Sequence, residues 1–199
     1  MRIVNRYTVV ADISSHIVNL LKQNMIPEPI LSEDLIGVCS PNEKGDLVLG
    51  VYLYDIRESE HIHSVSMVNM GINKQKFPPT YLTLFYMITA YSNTEIKFKY
   101  LDDQKILGRV IQVLTDNSII NISELTNSPN ILIPEVKIQM LDLNNEEKNK
   151  IWNFSNLPYR LSMCFKVFPL ELESTRVREV QRVVDVMTDV KEKYKNFRN

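Results

Sequence analysis

The chain has 199 residues, 44% of them hydrophobic and 24% charged, a composition that builds a packed core and excludes intrinsic disorder. A net charge of -1 supplies no global basic field, so neither a nucleic-acid partner nor anionic lipid is expected. No run of about 18 apolar residues predicts membrane insertion, and Asp12, Ser14, Ser15 and His16 interrupt the N-terminus where a signal peptide needs an unbroken apolar core. The two cysteines, Cys39 and Cys164, lie far apart inside apolar runs and read as reduced, buried thiols of a reducing compartment.

In chain order, Val10, Ile13, Ile17, Leu20 and Leu21 recur at three- and four-residue intervals and predict an amphipathic helix from about residue 6 to about residue 24, ending before Pro27 and Pro29. "LIGVC" reads as a short strand, "SPNEKGD" as a turn, and "LVLGVYLYDI" as a longer strand, together a hairpin. The following "RESEHIHSVSMVNMGINKQKFPP" has no sustained period and reads as a long surface loop. In "PPTYLTLFYMITAYSN", an extended backbone points Tyr81, Phe85, Met87 and Tyr91 to one side and Leu82, Leu84, Ile88 and Ala90 to the other. Both faces are apolar, so the strand is expected to lie between two layers, helices covering one face and a neighbouring subunit part of the other.

"LDDQKILGRVIQVLTDN" carries a helical stripe of Leu101, Ile106, Leu107, Val110, Ile111 and Leu114, with Asp102 and Asp103 read as helix-start acids that favour the macrodipole. "ILIPEVKIQML" is a strand interrupted by Pro134, which predicts an edge position. "NNEEKNKIWNF" is a short helix started by Glu146 and Glu147, and "PYRLSMCFKVFPLELES" alternates as the last long strand. In the terminal "STRVREVQRVVDVMTDVKEKYKNF", the spacing of Val177, Val180, Val184, Met187 and Tyr194 favours a helix while the valine density favours a strand; helix is preferred. The order predicts an α+β domain with a mostly antiparallel sheet flanked by helices.

Catalytic signatures are scarce. His61 and His63 share one side of an extended segment, but two ligands do not make a metal site and no third is close in sequence. There is no phosphate-binding loop, dinucleotide turn, zincin helix or nucleophile elbow. Trp152, beside Ile151 and Phe154, reads as core in preference to an interface anchor. Arg160, between Tyr159 and Leu161, suits an ion pair or a contact with another chain. Arg176, Arg178, Arg182 and Lys191 make the tail locally basic, interleaved with Glu179, Asp185 and Asp189, as a solvated face or an arm for an acidic partner.

Pro78 and Pro79 before a strand ending in Ala90 and Tyr91, then Leu107, Gly108 and Arg109, then Trp152 leading to Pro158, Tyr159, Arg160, Leu161 and Ser162 follow one another in an order that carries a family resemblance. With the first helix and "VYLYDIRES", the chain from about residue 6 to about residue 173 resembles the tail-terminator, or cap, proteins of extracellular contractile injection systems of the antifeeding-prophage type. The resemblance does not extend to the segment between Arg57 and Phe77 or to the tail after Ser174. It implies a tail-terminator-like domain over residues 1–174, with residues 175–199 as an arm or helix. It further implies a structural protein without cofactor or metal, a hexameric ring at the upper end of a phage tail-like particle assembled in the bacterial cytoplasm. The partners implied are the inner-tube and sheath proteins, whose growth the ring would end. Tyr91, Arg109, Tyr159, Arg160, Arg176, Arg178 and Arg182 become interface candidates; Pro78, Pro79, Gly108, Trp152 and Pro158 become structural ones. Pro134 would blunt a strand edge that should recruit no further chain. The rivals are a baseplate or joining adaptor of the same particle, or a small metal-dependent enzyme using His61 and His63.

Overall fold

Strand pairing is organised around one long apolar strand. The computed structural model describes residues 7–59, 66–71, 73–122, 135–154 and 157–180. In chain order these form α1 (Val9–Met25), β1 (Ile36–Val38), β2 (Leu49–Glu58), β3 (Val68–Asn69), β4 (Lys74–Lys76), β5 (Thr80–Ala90), α2 (Ile96–Asp116), β6 (Ile119–Asn121), β7 (Glu135–Met140), α3 (Asn145–Ile151), β8 (Ser162–Leu172) and β9 (Val177–Glu179). The chain divides into two compact units, Met1–Ser64 with Pro79–Glu173, and Val65–Pro78 with Ser174–Asn199.

The larger unit is an α+β fold. Its sheet has the order β1-β2-β5-β8-β7-β6, antiparallel except for the β1/β2 pair. That exception corrects the expected hairpin: Ile36 lies beside Leu49 and Val38 beside Val51, both strands running the same way. The turn residues between them therefore serve a crossover, in which Pro41–Glu43 form a short 3-10 turn. β7 is not an edge strand either, since it pairs with both β6 and β8. The edge is β6, a three-residue strand that the sequence reading left out, and Pro134 lies outside the described residues. A proline does interrupt the sheet elsewhere. Pro169, in β8, sits where the register against β5 slips between Leu82 and Leu84, a place where a missing N–H is tolerated.

α1 buries Val9, Ile13, Ile17, Leu21 and Met25, spaced at four residues, which puts them on one face. Ile26 turns extended before Pro27, whose ring disfavours the helical region for its predecessor. That face meets α2 and the side of the sheet carrying Leu84, Tyr86, Ile88 and Ala90. At its centre the Tyr86 and Phe165 rings stack 5.3 Å apart, and the Tyr86 hydroxyl is 2.8 Å from that of Ser14.

The other face of β5 is covered by this chain itself. Met87, Cys164 and Trp152 form a second buried cluster, with Tyr52, Leu143 and Phe154 packed against it. The segment containing α3 thus covers the part of this face around Met87, while Phe85 stays only partly buried. α3 is held by a capping box in which Asn144 accepts from the Glu147 backbone N–H while the Glu147 carboxylate accepts from the Asn144 N–H.

The smaller unit holds a three-stranded antiparallel sheet in the order β3-β4-β9. It corrects two expectations: the stretch after Arg57 carries strands, and Val177–Glu179, assigned to a helix, pair with Lys74–Lys76. Valine and arginine alternate there, so the β preference of the valines prevails once a partner strand is present. The rest of the proposed helix, from residue 181 on, lies outside the described residues.

Candidate functional site

One end of the larger sheet gathers five of the twelve residues singled out from sequence: Tyr91, Trp152, Pro158, Tyr159 and Arg160. Tyr91 follows β5 and is buried; a Cβ on Gly50 would lie 2.6 Å from the Cys39 sulfur and 3.1 Å from the Tyr91 ring, so glycine there lets the thiol and the ring pack against the strand. Two cations approach that ring: the Arg160 guanidinium and the Lys44 ammonium, each 5.4 Å from its centroid. Burial pushes the Tyr91 phenol up to about 12, against the opposing pull of the Thr89 hydrogen bond, so the ring stays neutral at physiological pH. Among the described residues, no carboxylate forms an ion pair with Arg160 or Lys44.

Beside it, Trp152 donates its indole N–H to the Pro158 carbonyl at 3.0 Å and meets Tyr159 edge-on at 5.8 Å. The core reading of Trp152 holds. Its hydrogen bond explains the motif's spacing, because Pro158 receives the donor and the chain then presents Tyr159, Arg160 and Leu161 outward, Tyr159 and Leu161 each half exposed. Burial raises the thiol of Cys164 to about 11 and that of Cys39 above its ordinary value, so both free thiols stay protonated at neutral pH.

Arg109 faces inward to another helix. Its Nε and Nη2 donate to the Asn24 carbonyl at 3.2 and 3.1 Å, satisfying an acceptor left open at the end of α1. A Cβ on Gly108 would meet nothing within 4 Å, so close packing is not what this glycine serves. Pro79 is buried at the start of β5. In the smaller unit, the Arg176 guanidinium lies 4.0 Å from the Phe77 ring centroid and Arg178 donates twice to the Gln75 side-chain oxygen, bonds that cross-link β4 and β9. Pro78 is half-buried there. Arg182, His61 and His63 lie outside the described residues; among the described residues no group of three or more His, Cys, Asp or Glu is placed to hold a metal ion.

α2 starts at Ile96, five residues before the expected point, so Asp102 and Asp103 are not first-turn acids. Asp103 is buried and accepts from the Ser92 backbone N–H at 2.8 Å, while Asp102 accepts from Lys105 at 3.2 Å. The added turn exposes Ile96, Phe98, Tyr100 and Leu101, each between 53% and 82% accessible. Sequence reasoning missed this surface. The available signal was "IKFKYL", where apolar residues fall on opposite sides of a helix start, a pattern that one packed face cannot cover.

Among the described residues, no helix is long and apolar enough to cross a membrane. No curated protein matches the chain. Its fold is similar to that of a sheath/tube terminator of an extracellular contractile injection system, the PVC particle, in its extended state: TM-score 0.63 at 15% identity, covering 93% of this chain and 64% of that one. It is also similar to the tube-terminating cap of the anti-feeding prophage, with TM-score 0.49 at 22% identity over 72% of this chain and 49% of that one. The chain thus spans less than two thirds of the length of either protein. The family model for the Pvc16 N-terminal domain matches residues 12–185, most of the chain and both layers of its larger unit, and the chain belongs to that family.

Proposed function

We propose that the chain is a tail terminator of a contractile injection system, a structural protein and not a catalyst. It forms a ring, six copies by the family resemblance, at the upper end of the tail. There it contacts the last inner-tube and sheath layers and offers no surface on which either can grow. The observation that carries this reading is the fold shared with a sheath/tube terminator over 93% of the chain, within the family that the chain belongs to.

The surface chemistry agrees with an assembly role. Exposed apolar residues all round the start of α2 are stable in water only at a cost that a second chain removes. Closing a ring needs two different patches on each subunit. Tyr159 and Arg160, the latter resting on the buried Tyr91, belong to the candidate contact surface at the sheet end, and Arg176 and Arg178 to the smaller unit's contribution. Assembly takes place in the cytoplasm, as the particle's other layers are built. Electron microscopy of particles from cells with and without the gene tests the role. Overlong or ragged tails without it are expected; normal, stable tails would overturn it.

A further inference from the structure

Arg160 and Lys44 are half-buried cations that meet the π face of Tyr91, yet no carboxylate pairs with them among the described residues. Tyr159 and Leu161 project beside them, each half exposed. A fixed guanidinium flanked by exposed apolar groups fits an acidic, partly apolar partner surface.

The same chain presents such a surface on the opposite face of the sheet. From Ile26 to Gly37 it contains Glu28, Glu33 and Asp34 but no lysine or arginine. Glu28, Glu33 and Asp34 are exposed and form no ion pair among the described residues, and Leu31 between them is 83% exposed. Glu28 and Leu31 also line an open groove with Leu35 and Val48, and its α2 wall carries Ile106, Asp102, Lys105 and Arg109, the two cations being engaged by Asp102 and by the Asn24 carbonyl, while Glu33 and Asp34 stand beside the groove. Ile30 and Ile36 anchor this segment to the α1/α2 side of the sheet. Leu49 and Val51 face that side, so the intervening Gly50, and the Tyr91 ring that a Cβ on it would meet, belong to the other.

We infer that the contact between neighbouring copies is head-to-tail, the Tyr159–Arg160–Leu161 projection of one copy seating in the Glu28–Leu35 groove of the next, Arg160 and Lys44 meeting its acids. This rests on the reading of the chain as a ring-forming terminator. Apolar side chains enter a concave apolar floor while opposite charges meet at the rim, and because the patches lie on opposite faces, the same contact repeats from copy to copy.

The test is a charge exchange on the full chain, read by sedimentation mass. Arg160→Glu, Lys44→Glu, and Glu28→Arg with Glu33→Arg are each expected to reduce the wild-type oligomer to monomer with an unchanged far-UV spectrum, the melting temperature staying as in the wild type for the Glu28/Glu33 variant and falling modestly for the two that lose a cation over Tyr91. Combining Arg160→Glu with Glu28→Arg and Glu33→Arg in one chain is expected to restore the oligomer. The inference is overturned by a monomeric wild type, by single reversals that associate as the wild type does, or by a combination that stays monomeric. Reversals without effect, alongside overlong tails in cells lacking the gene, would remove this surface and leave the terminator reading standing. Normal tails in those cells would remove the reading itself.

Discussion

The two halves of α2 have similar apolar content and opposite surroundings. From Ile106 to Leu114 the helix lays Ile106, Leu107, Val110, Val113 and Leu114 on α1 and the sheet, all buried. From Ile96 to Leu101 it leaves Ile96, Phe98, Tyr100 and Leu101 in water. Periodicity makes the difference. The second half keeps its apolar residues, the part-exposed Ile111 excepted, on one stripe that a single layer can cover, whereas the first spreads them around the axis. Among the described residues no layer covers that part, which makes the exposed turn a candidate contact surface for the proposed assembly.

The comparison breaks most sharply at leucine. Leu107→Ala should cost about 2–5 kcal/mol in urea unfolding, because the surrounding core cannot collapse into the space. A loss under about 0.5 kcal/mol would mean that this half is no better covered than the other. Alkali probes the covered side through Tyr86, whose phenol burial pushes up to about 12. Its folded-state value lies above its unfolded one, so the stability it contributes is complete below about pH 10 and is lost as pH rises toward 12. Tyr86→Phe should flatten the fall in unfolding free energy across that window by on the order of 2 kcal/mol; an unchanged slope would contradict the burial. Ser14→Ala removes the partner of the same hydroxyl and should cost about 1 kcal/mol or somewhat more. The smallest effect belongs to the open half. Leu101, 57% exposed against 5% for Leu107, should tolerate Leu101→Ala within about 0.5 kcal/mol.

Much of the larger unit was legible because its signals are local. The spacing in α1, the two apolar faces of β5, the acids that cap α3 and the alternation of β8 each state their environment directly. What failed depended on distant partners. Nothing in "LIGVC" tells a parallel neighbour from an antiparallel one, since both bury the same residues. β9 and β4 are strands only because they find each other about a hundred residues apart. The motif order pointed to Tyr91, Arg160 and Trp152 without saying why they recur. The structure supplies the reason in an indole bonded to Pro158 and a cation over a buried ring. For Arg109, an interface candidate by the motif, the structure adds a role the motif does not state: its side chain braces α2 against α1. The acidic segment from Glu28 to Asp34 carries no period and gained meaning only when its acids proved to form no ion pair among the described residues.

The most direct test of the account is complementation of cells lacking the gene with a chain carrying serine at Ile96, Phe98, Tyr100 and Leu101, scored by tail length in electron micrographs. The account predicts a protein that melts as the wild type does and leaves the tails overlong. Tails of normal length capped by that variant would contradict it.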